Sequence, residues 1–188
     1  MRHPFMEGLA TALARAGIAT LRFEFPYVAA GRRVPDRQPV LLQAVREAVE
    51  TARNEAADLP LFAGGKSMGG RMTSLAQAEA PLAGVRGLVF FGFPLHPASK
   101  PGTARADHLE QVALPMLFLQ GERDKLADPG LLGPVLDRLG ERATHHSIPF
   151  ADHGFHVPKR ASGRSDLDVI DELATTTAVW IERVLERL

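Results

Sequence analysis

Residues 59–70, with the sequence LPLFAGGKSMGG, decide the fold because they join a strand to a helix through glycines. The run from Leu59 to Ala63 is short and apolar, which is typical of a strand buried in a sheet. Two glycine pairs flank Ser67 and its neighbours, and helical spacing then continues to about Glu79. A strand that enters a helix through so short a turn is the repeating unit of parallel sheets covered by helices.

The same alternation extends in both directions from this unit. Helical patterns occupy 5–16, 40–57, 130–139 and 166–188, with a short helix near 104–112, while strand patterns occupy 18–25, 85–93, 116–120 and 143–150, and 27–38 is a loop. The runs at 85–93 and 116–120 are apolar throughout, as in strands buried on both faces. We therefore predict an α/β fold, a three-layer αβα sandwich with a mainly parallel sheet and no large cap domain. Residues 1–188 are expected to form a single domain.

Composition excludes several classes of function. Lys plus Arg and Asp plus Glu both total 22, so no net charge favours nucleic acid or an anionic membrane as a partner. The absence of cysteine excludes disulfides, thiolate metal sites and a cysteine nucleophile. No apolar run approaches the roughly 20 residues of a membrane span, and Pro4 and Glu7 interrupt any signal-peptide pattern. We expect a cytoplasmic protein whose partner is a small-molecule substrate.

The segment Gly65-Lys66-Ser67-Met68-Gly69 matches the pattern G-x-S-x-G, in which a serine stands on a sharp strand-to-helix turn. The glycines avoid clashes in that turn, and the positive end of the following helix points at a developing oxyanion. A turn with a purely structural role could have the same residue pattern. The strand before the segment and the helix after it favour a nucleophile. A phosphate-binding loop would need glycine where Pro60 stands, so no nucleotide or other cofactor is expected.

A serine hydroxyl needs a base to remove its proton. His153 lies in Phe150-Ala151-Asp152-His153-Gly154, just past the last predicted strand, and His156 is its rival. His145 and His146 are adjacent on a strand and point to opposite faces. The remaining histidines, His3, His96 and His108, are predicted to be surface or loop-capping residues. The spacing of His153 and His156 could suit a metal, but without a further ligand cluster no metal is expected.

The acid that orients the base should follow a strand between the nucleophile and the base. Asp124 comes directly after the predicted strand 116–120 and can accept the imidazole Nδ1–H. Asp128 is the alternative. Four cations near these segments are interpreted as solvated surface charges rather than as ligands for a carboxylate or phosphate: Lys66, Arg71, Arg32 and Arg33.

These motifs resemble those of the α/β-hydrolase superfamily, in its small dienelactone-hydrolase-like branch. More closely, the chain resembles compact hydrolase-like proteins grouped with a testis-expressed protein and a subunit of the NSL histone-acetyltransferase complex. The segments that carry the resemblance are HPFMEGLA at 3–10, LRFEFPY at 21–27, AGRRVPD at 30–36, GGKSMGGR at 64–71, FGFPLHP at 91–97, FLQGERD at 118–124 and ADHGFHVPKR at 151–160. The resemblance implies a catalytic triad of Ser67, Asp124 and His153, in the chain order usual for this superfamily, with the N–H of Met68 as one oxyanion donor.

Relatives have a strand and a His-Gly-rich loop directly before the segment that matches HPFM, and that loop gives the second oxyanion N–H. The chain starts inside this loop, so the resemblance predicts an N-terminal truncation with a central strand encoded upstream. Without that strand, 18–25 and 59–63 must pair directly or leave backbone groups unpaired. The expected function is a serine hydrolase that cleaves an ester, thioester or lactone; the alternative is a catalytically impaired interaction module.

Overall fold

The computed structural model describes residues 3–187, and its centre is a parallel sheet of four strands in chain order. The strands are β1 (Leu61–Lys66), β2 (Val85–Phe91), β3 (Met116–Gly121) and β4 (Ala143–Ile148). All three pairings of neighbouring strands are parallel. Because parallel strands share one direction, the loops that follow all four carboxyl ends meet at the same edge of the sheet.

Helices cover both faces of this sheet. They are α1 (Pro4–Arg15), α2 (Pro26–Ala29), α3 (Gln38–Glu55), α4 (Met68–Glu79), α5 (Pro129–Leu139), α6 (Lys159–Ser162) and α7 (Asp166–Leu185), with 3-10 helices at Ala104–Gln111 and Gly140–Arg142. Alternate residues of β2 enter different cores: Leu88 and Phe90 pack towards α3, α4 and α5, whereas Val89 and Phe91 pack towards α1 and α7. The predicted three-layer sandwich with a parallel sheet is therefore confirmed.

Helix α7 closes the second core and begins at a capping box. The side chain of Ser165 accepts the N–H of Asp168, and the Asp168 carboxylate accepts the N–H of Ser165 at 2.7 Å. These contacts satisfy two backbone donors that would otherwise lack partners at the helix start. Further along the same helix, Trp180 packs edge-on against Phe62 of β1, with ring centroids 5.7 Å apart. This ring contact packs the C-terminal half of the helix against the sheet.

The strand predicted at 18–25 is wrong. The segment is extended, but it belongs to no sheet in the described part of the chain. Leu21 and Phe23 are 44% and 38% exposed, and Phe25 alone is buried. An alternating pattern indicates an extended backbone, but a strand also needs a partner for its ladder. Strand β1 pairs only with β2 within residues 3–187 and is an edge strand, so the direct pairing of 18–25 with β1 does not occur.

The other predicted elements are found within a few residues of their expected bounds. The largest shift is in β1, which extends from 61 to 66 and so includes both glycines and Lys66. Residues 27–38, predicted as a loop, begin inside the short helix α2. The upstream strand lies outside the described residues and stays a prediction.

Candidate active site

Ser67 stands between β1 and α4 in a backbone conformation that non-glycine residues rarely adopt. Its φ is 52° and its ψ is −118°. Such a conformation costs about 1–3 kcal/mol and persists only where the surroundings impose it. Here the Ser67 N–H donates to the carbonyl of Phe91 at 3.1 Å, and the Ser67 carbonyl accepts the N–H of Arg71 at 3.1 Å. The sheet and the helix therefore hold the serine in a sharp turn from both sides.

The glycines around this turn are not equivalent. A Cβ on Gly70 would lie 2.7 Å from the Gly65 carbonyl oxygen, and a Cβ on Gly65 would lie 3.1 Å from the Gly69 carbonyl carbon. A Cβ on Gly69 would meet nothing within 4 Å. The close approach of α4 to β1 therefore requires Gly65 and Gly70. The expectation that clashes also require Gly69 is corrected.

The structure brings Ser67, His153 and Asp124 into one hydrogen-bonded series. His153 Nε2 lies 2.8 Å from Ser67 Oγ, and His153 Nδ1 lies 2.7 Å from Asp124 Oδ2. Because an ionised carboxylate can only accept, Nδ1–H donates to Asp124, and Nε2 is left to accept the Ser67 hydroxyl proton. The three residues follow β1, β4 and β3 respectively, at the edge where the carboxyl ends of the strands meet.

The carboxylate of Asp124 is fully buried and has further partners. Its Oδ1 accepts the N–H of Leu126 at 2.8 Å, and its Oδ2 accepts the side-chain amide of Gln120. Gln120 in turn accepts the N–H of Phe93 at 2.9 Å, so its own orientation is fixed. Gln120 was not predicted from the sequence. Its signal is that of a polar residue at the end of an otherwise apolar strand.

The loop that carries His153 is held by its own hydrogen bonds. Asp152 Oδ1 accepts the N–H groups of Gly154 at 2.7 Å and His156 at 3.0 Å. Phe150 and Phe155, on either side of the loop, have positive φ values of 63° and 64°. Two strained residues and a carboxylate that closes the turn indicate that the loop has one defined shape.

The alternative residues face other partners. His156 is largely exposed and pairs with Asp166 at 2.9 Å, and its pKa is raised by that hydrogen bond and by the charge of Asp166. His146 contacts Glu172 at 2.6 Å, and Asp128 caps α5 by accepting the N–H of Gly130 at 2.8 Å. None of these side chains joins the series that contains Ser67.

Two histidines that were predicted to be surface or loop-capping residues lie deeper than expected. His96 is only 3% exposed, and its Nδ1 lies 3.0 Å from the Pro97 carbonyl oxygen. His108 is half-buried and its Nε2 lies 2.7 Å from Ser74 Oγ. Burial, together with the nearby charge of Arg71, lowers the pKa of His108 to about 4, so that its ring is neutral at pH 7. The prediction is correct for the exposed His3 alone.

The four cations differ in their environment. Lys66 is not a solvated charge, because its Nζ donates to the His153 carbonyl at 2.6 Å. Arg71 is half-buried, and its Nε finds no hydrogen-bond partner within residues 3–187. Arg32 pairs with Asp36 at 2.7 Å, and Arg33 is exposed. The surface interpretation is therefore wrong for Lys66.

The surroundings of the series are open. A depression of about 550 Å³ borders it on the Asp124 side, lined by His96, Arg123 and Lys125 among others, and Ser67 is not among its lining residues. Among residues 3–187, no group of three or more His, Asp or Glu is placed to hold a metal ion. No helix in the described range is long and apolar enough to span a membrane.

A parallel sheet with helices on both faces, and with Ser, His and Asp meeting after its strands, is the arrangement of α/β-hydrolases. Residues 1–182 match the alpha/beta hydrolase domain family, and the chain belongs to this family.

Solved structures agree with this assignment. An α/β serine hydrolase without a lid, from Xanthomonas campestris, is 25% identical with a TM-score of 0.71, over 96% of this chain and 75% of that chain. An α/β-hydrolase-type protein from Agrobacterium tumefaciens is 19% identical with a TM-score of 0.70, over 99% and 79%. A dienelactone hydrolase from Anabaena variabilis is 22% identical with a TM-score of 0.66, over 93% and 78%. The chain therefore has the compact fold shared by these proteins.

Proposed function

We propose that the protein is a serine hydrolase that cleaves an ester, thioester or lactone of a small substrate through an acyl-Ser67 intermediate. The observation that carries the proposal is the series from Ser67 Oγ to His153 and on to Asp124, with distances of 2.8 Å and 2.7 Å. Both distances suit proton transfer between a nucleophile, a general base and the acid that orients the base.

In the first half of the reaction, Ser67 Oγ attacks the substrate carbonyl carbon while its proton passes to His153 Nε2. The buried Asp124 carboxylate stabilises the imidazolium that forms. The N–H of Met68 is available to the oxyanion, because the first residue of a helix has no acceptor within that helix. The tetrahedral intermediate then collapses, and the leaving alcohol or thiol takes the proton from His153.

In the second half, a water molecule gives a proton to His153 and attacks the acyl carbon. The second collapse restores the Ser67 hydroxyl and releases a carboxylic acid. The family resemblance assigns a second oxyanion donor to the loop before residue 3, outside the described residues. Loss of one such donor lowers rates by about 10²–10³-fold in other enzymes, so this loop matters for the level of activity.

The surroundings of the serine support a small or surface-presented substrate. Between β2 and β3 the chain has only a loop and the 3-10 helix Ala104–Gln111, which is too little for a cap over the site. An open site suits a small substrate or a group presented on a larger surface. The likeness to a lidless serine hydrolase and to a dienelactone hydrolase supports this proposal. We also propose that the closer relatives are the compact proteins grouped with the testis-expressed and NSL-complex members.

The test is labelling by a fluorophosphonate probe, together with hydrolysis of p-nitrophenyl acetate. The wild-type protein should react, and Ser67→Ala should abolish both signals without changing the circular dichroism spectrum. Ser74→Ala is the matched control, because Ser74 also contacts a histidine ring nitrogen at 2.7 Å but is fully buried. Labelling of Ser67→Ala at the wild-type level would contradict the proposal. A folded wild-type protein that does not label would favour the interaction module.

A further inference from the structure

The side chain of Lys66 lies inside the site rather than in solvent. Its Nζ donates to the backbone carbonyl of His153 at 2.6 Å. The ammonium also lies 5.0 Å from the ring centroid of Phe5 and 5.1 Å from that of Phe155, and the two rings stack on each other at 5.5 Å. These distances are those of cation–π contacts. Lys66 therefore connects β1, the start of α1 and the loop that carries His153.

A charge in this place opposes folding. Burial lowers the pKa of Lys66 to about 8, although Asp124 and Asp152 act to raise it. At pH 7 the amine is protonated in both the folded and the unfolded protein, so the desolvation penalty is fully present there. An apolar side chain of similar length would avoid this penalty.

The partner of Lys66 is the residue whose ring contacts the nucleophile. A hydrogen bond to the His153 carbonyl fixes the backbone from which the imidazole reaches Ser67 and Asp124. Lys66 also precedes Ser67 directly in the chain. The ammonium that holds the His153 loop and the nucleophilic hydroxyl therefore belong to adjacent residues. The ammonium can therefore set the separation of base and nucleophile through very little intervening backbone.

We propose that Lys66 is a positioning residue that holds the His153 loop on the nucleophile turn, so that His153 Nε2 stays aligned with Ser67 Oγ. This inference rests on the proposed function. It assigns no contact with substrate to Lys66. The hydrogen bond acts on the backbone of His153, and the stacked rings of Phe5 and Phe155 keep the ammonium in place.

The experiment compares Lys66→Met, Lys66→Arg and the control Lys159→Met, which removes an exposed lysine from α6. Lys66→Met should lower kcat and the rate of fluorophosphonate labelling by about 10- to 100-fold, because a misplacement of about 1 Å can have that effect. Its KM should stay within about twofold of wild type, since no substrate contact is lost. Its Tm at pH 7 should equal or exceed that of wild type. Lys66→Arg, which keeps a cation and N–H donors, should be intermediate, and Lys159→Met should match wild type.

A measurement that needs no turnover tests the same contact. In Ser67→Ala, the ring Nδ1–H of His153 should give a low-field proton resonance, and adding Lys66→Met should broaden or shift it. Wild-type labelling rates in a folded Lys66→Met protein would overturn the inference and leave the proposed function intact. A rate that falls only in proportion to the folded fraction would overturn it as well. If the wild type does not label at all, the proposed function fails, and an unchanged His153 resonance would then overturn the positioning role too.

Discussion

His153 and His156 are three residues apart, yet their side chains face different groups. His153 contacts Ser67 and Asp124, whereas His156 faces Asp166 at the surface. We expect His153→Ala to lower kcat by about 10⁴- to 10⁶-fold, the range found when a triad loses the orientation of its base or the base itself. His156→Ala should leave kcat near the wild-type value. Steady-state kinetics on a p-nitrophenyl ester give the ranking, and the reverse order would move the base to His156.

At the scale of single residues, the G-x-S-x-G motif and the position after a strand pointed to Ser67, Asp124 and His153 as one set, with His156 and Asp128 as alternatives. Parallel strands bring their carboxyl ends to one edge, so residues that follow them can be grouped from the sequence. The partners of these residues could not be predicted in that way. The contact of Lys66 with the His153 carbonyl joins residues that are 87 positions apart, and it depends on the shape of a loop with two strained residues.

At the scale of the strand–turn–helix element, Gly70 and Gly69 should respond oppositely to the same substitution. In Gly70→Ala the new Cβ meets the backbone oxygen of Gly65 at 2.7 Å, so α4 must move away from β1 and carry the turn of Ser67 with it. We expect a loss of about 1–3 kcal/mol in the free energy of unfolding, together with reduced probe labelling. Gly69→Ala meets open space and should gain up to about 1 kcal/mol from helix propensity.

Urea denaturation with a labelling assay on each variant measures both effects. If Gly69→Ala and Gly70→Ala lose equal amounts of unfolding free energy and labelling, the turn needs both glycines. The close approach of α4 to β1 would then not explain why glycine is required.

Secondary structure was predictable wherever a pattern reflected packing on the core. The helical stripes and the apolar runs of β2 and β3 were recognised because burial on one or both faces gives each a distinct period. The segment 18–25 misled because its alternation is real, but its apolar side chains Leu21 and Phe23 are substantially exposed. A period of two is a property of one chain segment, whereas pairing depends on a neighbour.

At the scale of the whole molecule, acid stability should depend on the contacts of α7 with the sheet. Glu172 accepts hydrogen bonds from His146 of β4 and from Arg164. Partial burial acts to raise its pKa, but these two partners outweigh burial and hold the pKa below the ordinary value of 4.5. A depressed carboxylate pKa stabilises the folded state above the unfolded-state value, and this contribution is lost as the pH falls through the folded value.

We therefore expect Glu172→Gln to be less stable than wild type at pH 7 and to lose less stability between pH 7 and about pH 3. The melting temperature as a function of pH measures this difference. Glu50→Gln removes an exposed carboxylate from α3. Its melting temperature should change with pH in the same way as that of wild type. If the melting temperatures of Glu172→Gln and wild type change with pH in the same way, Glu172 does not cause the acid sensitivity.

The order of the strands has a consequence for how the site comes into being. The exposed residues 97–101 lie in the connection between β2 and β3. Ser67, β1 and β2 come before this connection in the chain. Asp124, His153, β3 and β4 come after it. A chain cut there gives two fragments, one with the nucleophile and the other with its base and acid. Neither fragment can hydrolyse an ester by the proposed route until β2 of one fragment pairs with β3 of the other. Ester turnover would then directly measure how far the two fragments have assembled through the pairing of β2 with β3.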